Sequence, residues 1–224
     1  MKKVLSLVAL LSALAGTAAA APYYMPSPAG GAITPYDWQP VYSIEGVGNF
    51  SDRDAAPDTY GARLNFSLYN NAASSARHQF SISLGYEQGD HDVNIRYNDV
   101  PAKVGIELTR IPFTLGYDIN LGLTDSVFID LGAKAGYAWG SVENSMKSEG
   151  SALGVSSKDT LGGFTFSLGA GLKVQCSDAV YVKLGYEFSR TFYGKISSPE
   201  LNNGEGKSLN YGQHSIVFGV GCLF

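Results

Sequence analysis

Beyond its first two dozen residues the chain has no apolar run approaching the roughly 20 residues that a helix needs to cross a bilayer. A bundle of membrane helices is therefore excluded. Charge is scarce, with Asp, Glu, Lys and Arg at 16% of 224 residues and a net charge of −4. These charges are spread along the chain, so no basic face for nucleic acid is visible. Two cysteines are too few for a disulfide framework. What the chain has in plenty is glycine (27), tyrosine (14) and phenylalanine (11), set in a strong alternation of apolar and polar residues.

The N-terminus reads as an export signal. Met1-Lys2-Lys3 is basic, Val4 to Ala15 is apolar but too short for a stable anchor, and Ala18-Ala19-Ala20 is a small-residue cleavage site. Residues 1–20 are thus expected to be a signal peptide. No cysteine lies near the site, which disfavours lipid attachment. Residues 21–40 are rich in Pro and Gly and are expected to form an irregular periplasmic lead-in. Residues 41–224 then form one domain.

Eight segments of that domain alternate as strands do. Their apolar faces include Tyr42, Ile44 and Phe50; Tyr60 to Leu68; Phe80 to Tyr86; Ile111 to Ile119; Val127 to Trp139; Phe164 to Val174; Val180 to Phe188; and Ile216 to Phe224, taken at every second residue. The opposite faces are polar or small. Alternation alone suits a soluble sandwich or a membrane barrel. The export signal, the terminal Phe224 and the aromatics at strand ends (Tyr42, Tyr60, Trp139, Phe192) favour the barrel, because such rings belong at membrane interfaces. The last strand would also leave an unpaired edge unless the sheet closes. The expectation is an all-β, eight-stranded antiparallel up-and-down transmembrane barrel.

The polar faces carry five acids, Glu45, Glu87, Asp118, Asp130 and Glu187, and five bases, Arg63, Arg110, Lys134, Lys173 and Lys183. Side chains fill the interior of an eight-stranded barrel, and charges buried there must be paired. A plugged, salt-bridged lumen is expected from these ten residues.

Short connections (70–77, 120–125, 176–179) alternate with long ones (51–59, 88–103, 141–160, 194–210), the pattern of periplasmic turns and outer loops. The alternation of Val93, Ile95 and Tyr97 argues that 88–103 is the tip of a long hairpin. With Asn98 to Pro101 as its turn, Tyr86 would face Phe113 and Val93 would face Ile106. The apolar face would switch sides above about Gly89 and Leu108, and the exposed strand edge would be open to strand addition by a partner. The same reasoning sets Val174 against Val180 and Val180 against Phe224, which places Cys222 beside Val182. Cys176, in a tight turn, would then be too far away for a disulfide.

Gly219, Cys222 and Phe224 resemble the C-terminal signal of bacterial outer-membrane barrels. The segment Tyr36-Asp37-Trp38 with Tyr42, and the units Leu84-Gly85-Tyr86, Leu115-Gly116-Tyr117 and Leu184-Gly185-Tyr186, resemble the opacity-type, OmpA/OmpX-like outer-membrane β-barrel superfamily; Gln39-Pro40 departs from its usual Ser/Thr-Gly. The resemblance covers residues 36 to 224. It implies residence in the cell outer membrane among lipid and lipopolysaccharide, with assembly by the barrel-assembly machinery through the C-terminal strand. A role as envelope structural protein or adhesin is expected, with a host or surface ligand at the outer loops. Fold does not settle activity, and a small porin-like channel and a lipid A-modifying enzyme are the alternatives. The adjacent His214 and Ser215 point to opposite faces of a strand and cannot form a nucleophile–base pair. The groups Asp90-His91-Asp92 and Asp52, Asp54, Asp58 lack metal-ligand spacing. No enzymatic activity and no cofactor are expected.

Overall fold

Alternation with period two gives each strand one apolar and one polar face. A ring is the arrangement that buries the polar faces together. In the computed structural model, which describes residues 38–52, 57–70, 76–97, 100–148, 154–196 and 207–223, eight antiparallel strands do this. They are β1 (Trp38–Ser51), β2 (Thr59–Asn70), β3 (Ala76–Tyr97), β4 (Val100–Gly122), β5 (Val127–Ser148), β6 (Gly154–Gln175), β7 (Val180–Ile196) and β8 (Lys207–Leu223). Each pairs with its sequence neighbours, and β8 closes the ring on β1, with Ile44 opposite Val220 and Gly48 opposite Ile216. β1 begins at Trp38, opposite Asn70, three residues inside the segment expected to be irregular. Residues 1–37 and Phe224 lie outside the described residues.

The apolar faces point outward. Leu64, Leu84, Leu115, Leu168, Leu184 and Phe218 are all more than half exposed, as a lipid-facing wall requires. All ten charged residues of the polar faces point inward. Eight are buried and Lys134 and Lys183 nearly so.

The two rims differ. At one, short turns join the strands; the β6–β7 turn closes with Cys176 N donating to Val180 O. This rim, where β1 starts and β8 ends, is called the turn end here. At the other, the hairpin end, the strands run far past their neighbours. β3 and β4 pair as far as Tyr97 opposite Val100, β4 and β5 to Ala102 opposite Ser148, and β5 and β6 to Lys147 opposite Gly154. The four strands form one continuous sheet standing above the ring. Much of what the sequence suggested as long loops, at 88–103 and 141–160, is therefore ladder.

The β3–β4 register differs from the expected one by two residues. Leu84 faces Phe113, Val93 faces Val104, and His91 faces Ile106. The turn is shorter than expected because Val100 and Pro101 already belong to β4. Pro101 has no N–H to give to a ladder, but the β4–β5 pairing stops at Ala102, so none is lost there. The same two-residue shift occurs twice more: Val174 faces Val182, and Val180 faces Cys222 rather than Phe224. A slip of two leaves every side chain on its expected face. The switch of the apolar face is seen at Leu108, which points inward and is buried, while Ile111 and Phe113 on the same strand point outward.

Candidate functional site

The interior is the site that the fold builds most deliberately. Nine of its charged side chains form one chain of alternating sign. Arg110 meets Glu87 (2.5 Å), and Glu87 meets Arg63 (3.2 Å). Arg63 meets Glu187 (2.7 Å), and Glu187 meets Lys134 (3.2 Å). Lys134 meets Glu45 (3.7 Å), and Glu45 meets Lys183 (3.9 Å). Lys183 meets Asp130, and Asp130 meets Lys173 (3.7 Å). The chain starts near the hairpin end and finishes near the turn end. Every internal member has an opposite charge on both sides, which is what makes burial of so many ions tolerable. The tenth residue, Asp118, makes no ion pair within 4 Å among the described residues; its carboxylate lies over Gly132, the residue opposite it on β5.

Neutral polar groups complete the layer. Asn49 Nδ2 donates to Glu87 Oε2 (3.0 Å) and Arg110 Nη1 to Thr191 Oγ1 (3.2 Å). On the β1–β3 side, Gln79 Nε2 donates to Ser67 Oγ (2.9 Å) and Asn65 Nδ2 to Ser43 Oγ (3.2 Å).

An apolar cluster sits at each end of this chain. Toward the hairpin end Leu108, Ala138, Val142, Leu161, Tyr193 and Tyr211 are buried together, with the two tyrosine rings stacked 5.9 Å apart. Toward the turn end Val41, Tyr69 and Tyr181 pack with Leu223. The Lys173 ammonium lies 4.8 Å from the Tyr181 ring centre and 5.6 Å from that of Tyr69, and it donates to Gln79 Oε1 (2.8 Å). Arg77 caps the buried Phe128 ring at 4.4 Å and donates to the Tyr69 hydroxyl (3.2 Å). Cations over aromatic faces are held there by the ring quadrupole.

The sequence reasoning missed these end clusters and Arg77. Their signal in the sequence is parity: Tyr69, Tyr181, Tyr193, Tyr211 and Phe128 are aromatic residues at inward positions among polar neighbours.

The remaining candidates fall as follows. Gly219 points into the interior, where a Cβ would come 3.0 Å from Glu45 Cγ, so its bareness makes room for the acid. Cys222 points outward between Tyr42 and Val180. Both cysteines are free. His214 faces outward and shares a hydrogen bond with the Tyr186 hydroxyl, while Ser215 is buried inside and donates to Asn49 Oδ1 (2.6 Å). Asp92 pairs with Lys103 at 2.7 Å. Among the described residues no three His, Cys, Asp or Glu side chains converge as a metal site would need; Asp54 lies outside them.

No curated protein matches the chain. Solved structures similar to it include neisserial surface protein A, at 15% identity and TM-score 0.47, over 84% of this chain and 97% of that one. The attachment invasion locus protein Ail of Yersinia pestis matches at 14% identity and TM-score 0.44, over 84% and 100%. The outer membrane protease OmpT of Escherichia coli matches at 7% identity and TM-score 0.49, over 88% and 99%. The family model described as outer membrane protein beta-barrel domain matches residues 5–224. The chain belongs to this family of outer-membrane β-barrels, and its place is the cell outer membrane.

Proposed function

We propose that the protein is a non-conducting barrel of the outer membrane, acting as an envelope structural protein and/or adhesin through the strands and loops of its hairpin end, which faces outward. The observation that carries this reading is the Lys134–Glu45 contact, which spans the interior between opposite strands (3.7 Å). Ion pairs on either side of it and an apolar cluster at each end oppose the passage of water and ions. Open channels of this architecture use sixteen or more strands. The standing sheet supplies the surface for a partner. Among the described residues, the β2–β3 ladder ends at Tyr60 opposite Gln88. The β3 edge beyond it offers backbone groups for strand addition.

Purified protein in a planar bilayer is expected to give no steady conductance on the nanosiemens scale, and such a conductance would sink the closed-lumen reading. A chain lacking residues 91–106 joins Asp90 to Glu107, which already face each other across the ladder, and is expected to keep the barrel registers. Loss of surface adhesion with an intact envelope in that variant supports the adhesin role, and a leaky envelope with normal adhesion supports the structural one.

A further inference from the structure

Pro112 stands inside β4 with a strand on either side of it. A proline has no N–H to give to a ladder, so prolines in sheets are ordinarily kept to edges and bulges. The effect here is confined to one seam. On the β5 side the ladder runs through, with Pro112 opposite Ala138. On the β3 side the pairs stop at Leu84 opposite Phe113 and resume in the same register at Glu87 opposite Arg110. Gly85 with Pro112 and Tyr86 with Ile111 are thus a gap without a slip, and the Gly85 carbonyl has no N–H across from it. Elsewhere in the ring the ladders are broken at the register shift between Phe192 and Lys195, on the hairpin rim. Gly85 is matched to its neighbour. A Cβ there would come 2.9 Å from Pro112 Cγ and 3.1 Å from Arg63 Cγ, so the proline ring takes the space that a side chain would need.

An unmade backbone hydrogen bond is costly in a bilayer, where no solvent replaces the missing partner. The surroundings of the gap suit water in that role. Behind it lies a cavity of about 20 Å³ lined by Arg63, Ser83, Arg110, Pro112, Thr165 and Ser189. That is room for one water molecule, and the buried Ser189 hydroxyl has no hydrogen-bond partner. On the outer face Tyr86 stands at the gap itself. Its hydroxyl donates to Gln88 Oε1 (3.3 Å), and Gln88 Nε2 donates to the Tyr60 hydroxyl (3.1 Å). Polar groups with aromatic rings on the lipid-facing wall belong at headgroup level, so the gap lies just inside that layer. Along the barrel axis the way is closed by Leu108, Tyr193 and Tyr211 at the hairpin end and by Val41, Tyr69 and Tyr181 at the turn end.

We propose that the gap between β3 and β4 at Gly85 and Pro112 is a lateral port for water. It opens locally and passes water between the headgroup layer and the cavity, and the water held there donates to the Gly85 carbonyl. The port leads to no exit on the other side of the membrane, because the turn end stays shut. It carries no current, so this proposal and the closed-lumen reading fail separately.

The test follows amide hydrogen exchange by NMR in the refolded full chain in lipid nanodiscs. The protection factor of Gly85 is expected to lie about tenfold or more below those of Ser83 and Glu87, its neighbours in the same seam. Water is expected to give a cross-peak to the Gly85 protons. Pro112→Ala puts an N–H back opposite the Gly85 carbonyl, and it is expected to raise the protection of Gly85 about tenfold and to remove the cross-peak. Gly85 as well protected as Ser83 and Glu87, no water cross-peak in wild type, or unchanged exchange at Gly85 in folded Pro112→Ala would each overturn the proposal. The first two readings are made on wild type and need no variant to fold.

Discussion

Lys134 Nζ and Glu45 Oε2 lie 3.7 Å apart, although their strands, β5 and β1, stand on opposite sides of an eight-strand ring. Two side chains laid end to end thus cross the interior. Glu187 holds the same lysine from β7, and Lys183 holds the same glutamate. The interior is organised as a bonded path through seven strands.

Glu87 is the most heavily used member of that path. It is fully buried, with Oε1 facing Arg63 and Oε2 facing both Arg110 and Asn49. Glu87→Gln removes the counter-charge of two guanidinium groups at once. The expected loss is about 3–5 kcal/mol, measured as a fall in the urea midpoint of the folded-to-unfolded gel shift. Adding Arg110→Met to Glu87→Gln is expected to restore part of the loss, because one stranded charge goes with its partner. A double variant no more stable than the single one would show that the two do not act as a pair.

Glycines on β5 set how closely β4 approaches. A Cβ on Gly136 would come 2.7 Å from Thr114 Cα and still closer to the Phe113 carbonyl, both backbone atoms that cannot swing away. Gly136→Ala is expected to cost about 1–3 kcal/mol in the same urea assay. At Gly48 a Cβ meets nothing within 4 Å, so Gly48→Ala is expected to stay within about 0.5 kcal/mol of wild type. Similar losses at both positions would refute the steric account.

The two thiols should behave differently. Cys176 is exposed in the β6–β7 turn, and Cys222 is half-buried on the lipid-facing wall. Folded protein in bilayers is expected to take up one water-soluble maleimide, at Cys176, and unfolded protein two, as counted by intact mass. Gel mobility should not change on reduction. Equal labelling of both thiols in the folded state would place Cys222 in water.

Face and strand number could be read from the residues because a period of two is a property of each strand alone. Leu64, Leu84 and Leu184 could point only one way once their neighbours were polar. Register is another matter. It depends on how many residues a turn consumes, and a slip of two is invisible to alternation. Val180 met Cys222, and Leu84 met Phe113, for that reason. The ten interior charges could be located by parity, but the order in which they join could not, since Arg63 and Glu187 meet across the ring and no pattern local to β2 or β7 encodes it. Arg190 stands at a position of β7 where parity predicts an apolar residue.

The alternating charge path also bears on the order of assembly. Its members come from β1 through β7, with Glu45 on the first strand neutralised from β5 and β7. A partly built sheet would carry unmatched ions toward hydrocarbon, and the pairings that neutralise them are between residues far apart in sequence. Loop-closure entropy is spent before those pairings form. Intermediates are correspondingly unfavourable, and the ring is expected to close in one concerted step rather than hairpin by hairpin, with no populated intermediate in the time course of the refolding gel shift.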